Sequence, residues 1–339
     1  MVPTVRALVA GFPRAHLTWV IGSAAHALVE GLPGVEFLVI HKQGGMGELL
    51  RLRRELRRRK FDVLLAAQAS FRANWLYQAI RAPVKIGFDR QRASDLHGWF
   101  VNQRIPFRRE HLLDSFLSFA EAIGLPRPPV EWGLPLGSED YAWADEQLGG
   151  AKGPWLAINP AASKAERNWL PDRYAAVLDQ VVERHRCRVM FTGAERDRKF
   201  GETILAASRH RDSVKNLMGR TTPKHLAALL SRTLALLAPD TGPVHLATAV
   251  GTPVVGMYAV APPQLSGPYQ TPELVVNRFP EAVRKFLHRD PASVPWKTRV
   301  HHTGAMELIT VDDVLEKLDR VLKQNSSRAD KTESGISPR

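Results

Sequence analysis

Cysteine is nearly absent from this 339-residue chain, Cys187 being the only one. A disulfide framework is therefore impossible, a cysteine-based zinc site is not expected, and a reducing, cytoplasmic compartment fits. Long apolar runs are also missing, and no stretch approaches the ~20 residues of a membrane span. The amphipathic opening MVPTVRALVAGFPRAH lacks the long apolar core and small-residue cleavage site of a signal peptide. Several chemical signatures are absent as well. There is no GxSxG elbow, no Walker GxxxxGK[ST] loop and no complete dinucleotide-binding glycine fingerprint. Gly44-Gly45-Met46-Gly47 reads only as a glycine-rich turn before a helix. His301-His302 has no acidic or cysteine neighbour at ligand spacing, so it reads as a surface loop and no metal site is expected. No zinc finger, RNA-binding aromatic motif or helix-turn-helix is recognisable, so nucleic acid is not an expected partner.

Positive charge is what the chain has in excess, with 47 Lys and Arg against 34 Asp and Glu and a formal net charge of +13. Such an excess suits an anionic lipid surface or a polyanionic substrate. The densest run, Arg51-Leu52-Arg53-Arg54-Glu55-Leu56-Arg57-Arg58-Arg59-Lys60, places leucines at helical spacing and reads as an amphipathic helix with one basic face. A solvated face is the ordinary reading of such a helix; contact with lipid phosphates is the functional one.

The length suits two domains. In the first half, apolar runs at 16–22, 35–41, 61–68 and 84–90 read as strands, the third as buried. Helical patterns at 24–33, 46–60, 71–82 and 110–123 alternate with them. This order predicts a parallel sheet with helices on both faces. A Pro- and Gly-rich stretch from 125 breaks the periodicity, and 125–150 is taken as a linker. The pattern then restarts, with strands at 155–160, 187–193, 214–217, 234–240 and 253–259 and helices at 171–185, 196–208, 222–231 and 243–250. The domains expected are 1–124 and 151–310, followed by a helix at 311–324 and a disordered tail at 325–339.

One segment carries the chemistry. In LALLAPDTGPVHLATAVGTPVVGMY a strand stops at Asp240, and Thr241-Gly242 turns directly into a helix. Pro243 suits a first helical position and Thr241 a cap. Amides of that first turn, at the C-terminal edge of a parallel sheet, favour an anion. Gly242 lets an anion approach without a Cβ in the way, and His245 can add a donor; its ordinary reading is a packed histidine. An equivalent loop after strand 155–160 holds Ser163, Lys164 and Arg167. A leaving diphosphate gains negative charge, so cations fixed there lower its barrier; a solvated polar loop is the ordinary alternative. After strand 187–193, Glu195 is a candidate for ribose hydroxyls.

These residues resemble glycosyltransferase family 9, the lipopolysaccharide heptosyltransferases. DTGPVHLATAVGTPVVGMY followed by PPQLSGPY resembles the family signature. VPTVRALVAGFPRAHLTWVIG resembles its opening, FDVLLAAQASFRANWL and VKIGFDR two further segments, and SKAERNWLPDRYAAV its Lys-x-Trp-Pro loop. The resemblance implies a GT-B fold, two Rossmann-like α/β domains facing across a cleft, the first lacking its first strand. It implies inverting, metal-independent transfer from ADP-heptose, with no cofactor beyond that donor, to a phosphorylated lipid A–core acceptor. Asp240, Thr241, Gly242 and His245 match the donor motif, Ser163 matches a phosphate-binding hydroxyl, and Arg167 stands where the family usually has Lys. The acceptor falls to the basic N-terminal half, with Arg72, Arg90 and Arg92 as candidates and a peripheral contact with the inner membrane. The family's Tyr-Gly-Pro-Thr stretch is Tyr258-Ala259-Val260-Ala261 here, which leaves another nucleotide sugar open as donor. The family's general-base Asp falls upstream of Met1, so a late start is expected and no catalytic base is assigned. A non-catalytic nucleotide-sugar or anionic-lipid binding protein stays open as an alternative, as does an unrelated doubly wound enzyme.

Overall fold

The structure, a computed structural model, describes residues 1–149 and 154–333. The chain divides into two compact units, Met1–Pro135 and Leu136–Arg339.

The N-terminal unit runs α1 (Val2–Gly11), β1 (Leu17–Gly22), α2 (Ser23–Val29), β2 (Val35–Ile40), α3 (Gly45–Arg58), β3 (Val63–Ala66), α4 (Phe71–Tyr77), β4 (Val84–Gly87), β5 (Gln103–Arg104) and α5 (Leu112–Glu121). Every strand pair is parallel, as the alternation predicts, but the strands form two sheets, β1-β2 and β3-β4-β5. The single sheet expected is therefore corrected: β3 takes β4 as its partner, and no described strand joins it to β1. Val63, expected in a buried strand, is exposed at the start of β3, whose last residue, Ala66, is buried. The helix expected over 71–82 stops at Tyr77, because Arg81 is drawn into an extended bridge with Lys60 and its carbonyl accepts from the Phe61 N–H at 3.0 Å. On α3, Leu49, Leu52 and Leu56 are buried at the spacing that predicted an amphipathic helix.

The C-terminal unit contains α6 (Ser138–Gln147), β6 (Trp155–Ile158), α7 (Pro171–His185), β7 (Arg188–Phe191), α8 (Arg198–Ala207), β8 (Val214–Asn216), α9 (Pro223–Leu230) and β9 (Ala235–Pro239). It continues with α10 (Gly242–Ala249), β10 (Val254–Tyr258), α11 (Pro263–Ser266), β11 (Val276–Asn277), α12 (Phe279–Ala282) and α13 (Val311–Glu333). Helix α6 lies inside the stretch taken as a linker. The Asp140 carboxylate accepts from the Gly137 N–H at 2.9 Å, capping the helix start, and Trp143 stacks on His225 of α9 at 4.1 Å. The last helix continues to Glu333, through much of the expected disordered tail. No glycine or proline interrupts that run, and each added residue gains one helical hydrogen bond. The rest of the tail call, at 334–339, lies outside the described residues, as does the end of the linker call at 150.

The six strands of this unit form one parallel sheet in the order β11-β10-β9-β6-β7-β8. Strands β6, β9 and β10 are buried along their whole length, as a sheet covered on both faces requires. The chain builds outward from β6 through β7 to β8, then returns to the other side of β6 with β9. The order therefore reverses between β6 and β9, and open α/β sheets bind ligands at the carboxyl ends of such a pair.

Candidate functional site

The carboxyl ends of β6 and β9 carry the two loops that the sequence marks as anion sites. The β6 loop is fastened at several points. Tyr174 donates from its hydroxyl to the Pro160 carbonyl at 3.1 Å, and Asn168 Oδ1 accepts from the Ala162 N–H at 2.8 Å. Trp169, 1% exposed, packs edge-on against Tyr174 and donates from Nε1 to the Ile309 carbonyl at 3.1 Å. Burial of an indole of this size stabilises the loop by roughly 3–5 kcal/mol relative to alanine. Arg167, between these anchors, has little freedom left.

Across the switch point, the Asp240 carboxylate is buried at 8% exposure. Arg167 Nη1 lies 3.3 Å from Asp240 Oδ2 and donates to the Asp240 carbonyl at 3.3 Å. Ser266 Oγ donates to Asp240 Oδ1 at 3.5 Å, and Tyr258 donates from its hydroxyl to the Ser266 carbonyl at 3.2 Å. Burial first, and then the Asp240 charge, push the Tyr258 phenol well above its ordinary range, against the opposing pull of Arg167 and Arg299. Tyr258 therefore serves as a neutral donor.

Arg299 belongs to the same cluster, and no motif pointed to it. The Val300 N–H donates to the Val260 carbonyl at 2.8 Å, which brings the preceding arginine in beside β10. Burial lowers its pKa, Asp240 raises it and Arg167 lowers it further. Nη1 of Arg299 and Nε of Arg167 are buried with no hydrogen-bond partner. Arg167 thus pairs with the Asp240 carboxylate, Arg299 lies within its electrostatic reach, and each guanidinium keeps one donor atom without a partner. A buried cation paired in this incomplete way is costly, and an arriving oxyanion offsets that cost.

The turn after β9 is built differently from expectation. Thr241 occupies the cap position, but its side chain makes no capping hydrogen bond. The reason is local: Pro243 at the second helical position has no N–H, and the Val244 N–H is turned to the Thr241 carbonyl at 3.1 Å. A Cβ built on Gly242 would meet nothing within 4 Å, so the space before the turn is open. His245 is exposed in the first turn of α10.

Arg167 and Asp240 are in direct contact, with Thr241 and Gly242 adjoining. Ser163 and Lys164 are exposed in the same β6 loop. Glu195 sits apart, beyond the end of β7, where Arg198 holds it at 2.8 and 3.0 Å; that hydrogen bonding keeps its carboxyl below the usual range. The segment Tyr258-Ala259-Val260-Ala261 is buried throughout. His301 and His302 are exposed in an irregular segment, as the surface-loop reading expects; there His301 pairs with Glu166 and His302 stacks on Phe286 at 4.0 Å.

Of the acceptor candidates, Arg72 and Arg90 are exposed. Arg92 is not available. Its guanidinium pairs with Asp89 and lies 3.5 Å from Glu110, donates to Ser115 and to the Pro106 carbonyl at 2.6 Å, and lies over Phe88 and Phe107. A cation placed in this way is part of the scaffold of its unit. The basic face of α3 is also partly neutralised: Arg51 pairs with Glu48 and Glu55, Arg59 pairs with Glu36 and Glu55, and Arg53 lies 4.3 Å over Trp75.

Comparison with known proteins agrees with this geometry. The profile of Glycosyltransferase family 9 (heptosyltransferase) matches residues 49–290. Lipopolysaccharide core heptosyltransferase OpsX of Haemophilus influenzae is 34% identical over 314 residues, 91% of this chain and 89% of that protein. A glycosyl transferase family 9 structure from Veillonella parvula superposes with a TM-score of 0.75 at 20% identity, covering 95% of this chain and 92% of its own. The structure of E. coli ADP-heptose lps heptosyltransferase II gives 0.71 at 20% identity, covering 96% and 94%. These likenesses establish the GT-B fold class. Arg299 falls outside the matched stretch.

Proposed function

Since this chain belongs to glycosyltransferase family 9, we propose that it transfers heptose from ADP-L-glycero-D-manno-heptose to the inner core of lipopolysaccharide. The transfer would invert the anomeric centre and use neither metal nor cofactor. The observation that carries this reading is the pair of incompletely satisfied guanidinium groups, Arg167 and Arg299, around Asp240 at the start of α10. An acceptor hydroxyl attacks the anomeric carbon, the bond to the diphosphate breaks, and the departing ADP gains charge where two cations already wait. Such preorganised charge acts on the transition state more than on the bound donor.

The acceptor would be a phosphorylated lipid A–core molecule. Arg72 and Arg90 of the N-terminal unit remain as its candidate contacts, and Arg92 is withdrawn. No described helix is long and apolar enough to cross a membrane. A peripheral position on the cytoplasmic face of the anionic inner membrane follows from the charge of +13 and from the lipid nature of the acceptor. Calorimetric titration with ADP, ADP-heptose and UDP, paired with heptose transfer to a core-truncated acceptor, tests the reading. Tight ADP binding and transfer are expected. A preference for UDP would move the donor to another nucleotide sugar, and binding of no nucleotide would sink the proposal.

A further inference from the structure

All the large apolar side chains exposed among the described residues belong to the N-terminal unit. Three of the four most exposed gather in one place: Trp99 at 81%, Phe71 at 73% and Leu96 at 62%. The Phe71 N–H donates to Asp95 Oδ2 at 3.0 Å, and the Trp99 N–H donates to the Leu96 carbonyl at 2.9 Å. Leu96 and Trp99 also form the rim of a cavity of about 400 Å³ that is lined by Arg90 and Arg104.

The loop that presents them is held in a costly conformation. Asp95 and Leu96 both lie in the left-handed region, at φ of 52° and 60°. A bulky residue such as leucine rarely adopts it, and such strain persists only when the surroundings over-determine it. Here the surroundings are a buried clamp. Asn74 Nδ2 donates to the Asp95 carbonyl at 2.7 Å, and Asn74 Oδ1 lies 2.8 Å from His97 Nδ1. The Phe88 N–H donates to His97 Nε2 at 3.2 Å. Asn74 and His97 are each 1% exposed. The fold thus uses two buried polar side chains to hold an apolar one out in water.

The charge around this tip is cationic. Arg72, Arg90 and Arg104 are exposed, and no ion pair holds Arg72 or Arg90 among the described residues. The loop between β4 and β5 holds two acids: Asp89 is buried and pairs with Arg92, and the Asp95 carboxylate already accepts from the Phe71 N–H. Aromatic and aliphatic side chains ringed by arginine match the headgroup boundary of an anionic bilayer. Although Trp99 borders the cavity, most of its ring stands in solvent, which suits a bilayer, whose interface requires no complementary shape.

We propose that the tip formed by Phe71, Leu96 and Trp99 inserts into the interface of an anionic phospholipid membrane, with Arg72, Arg90 and Arg104 taking lipid phosphates. The inference deepens the peripheral membrane contact proposed above and places it on this loop instead of the partly neutralised face of α3.

The test is partition of the full chain onto vesicles of phosphatidylglycerol and phosphatidylethanolamine, with phosphatidylcholine vesicles as the control. Leu96→Ser/Trp99→Ser should weaken partition by about tenfold or more, given the apolar area withdrawn. Trp99→Phe should stay within about threefold of the parent, because it keeps most of that area. Circular dichroism checks that the variants fold. Transfer to an acceptor embedded in vesicles should fall with partition, while transfer to a deacylated, water-soluble acceptor should not change. Unchanged partition of the double variant overturns the proposal. So does a parent chain that ignores anionic vesicles, or a loss of self-association with vesicle binding intact, which would assign the tip to a second copy. An equal loss with the deacylated acceptor would make the tip a sugar subsite and also overturn it. Partition needs no transferase activity, so failure of the heptose reading would leave this measurement standing.

Discussion

Arg167 reaches Asp240 across 73 residues of sequence, its Nη1 standing 3.3 Å from both the Asp240 carboxylate and the Asp240 carbonyl. The contact joins the loop after β6 to the turn after β9. It also sets where positive charge stands relative to the start of α10.

Replacing Arg167 with alanine should therefore lower kcat by about 10²- to 10³-fold, the usual cost of losing one preorganised donor to a developing oxyanion. Arg167→Lys should recover only part of that, since an ammonium is a point charge and lacks the planar fork. Steady-state transfer assays at saturating donor check both. A kcat within threefold of the parent for the alanine variant would remove Arg167 from the reaction.

Arg299 is expected to act on the donor as well. Arg299→Met should weaken ADP binding by about 10- to 100-fold, the value of one or more hydrogen bonds to a charged group. Because the arginine is incompletely paired in the free protein, its removal should leave the melting temperature unchanged or slightly raised. Calorimetry and thermal melts together decide: a lower melting temperature with unchanged ADP affinity would mark a purely structural residue.

Arg92 should show the opposite pattern. Arg92→Met leaves Asp89 and Glu110 without their shared cation and should cost roughly 3–5 kcal/mol of stability. Urea unfolding measures that loss. Transfer per folded molecule should stay near the parent value, and a selective fall in acceptor affinity would return Arg92 to the acceptor site.

His97 introduces a pH dependence. Burial, and then Arg104, lower its pKa. Its Nε2 accepts from Phe88, so the folded state requires the neutral ring. With a folded pKa below the unfolded value of about 6.5, its contribution is present above that value and is lost as pH falls through the folded pKa. The protection factor of the Phe88 amide, its exchange rate relative to the unstructured rate at the same pH, should fall as pH drops below the ordinary histidine value of about 6.5. In His97→Gln that pH step should disappear; if it persists, another group is titrating.

The local elements of this fold were largely legible because their signals are local. Leu49, Leu52 and Leu56 recur at helical spacing, and α7 begins at its own Pro171 and ends at His185, as the pattern indicates. Errors arose where a long-range partner overrode local preference. Pairing of Arg81 with Lys60 cut α4 short, and α6 was hidden inside a Pro- and Gly-rich stretch, its cap resting on Asp140. A cation such as Arg92 reads the same whether solvated or enclosed by Asp89, Glu110 and Ser115.

The candidate site divides along the same line. A strand that stops just before Asp240 and a helix that opens at Gly242 adjoin in the chain, so the sequence alone marked this junction as a candidate anion site. Which cations face it was decided by tertiary structure. Strand order reverses between β6 and β9, which sets the Arg167 loop beside Asp240. One backbone bond from Val300 to Val260 then delivers Arg299. Sheet order and single long-range hydrogen bonds leave no periodicity in the sequence, because they depend on which surfaces bury each other and not on the spacing of residues along one element.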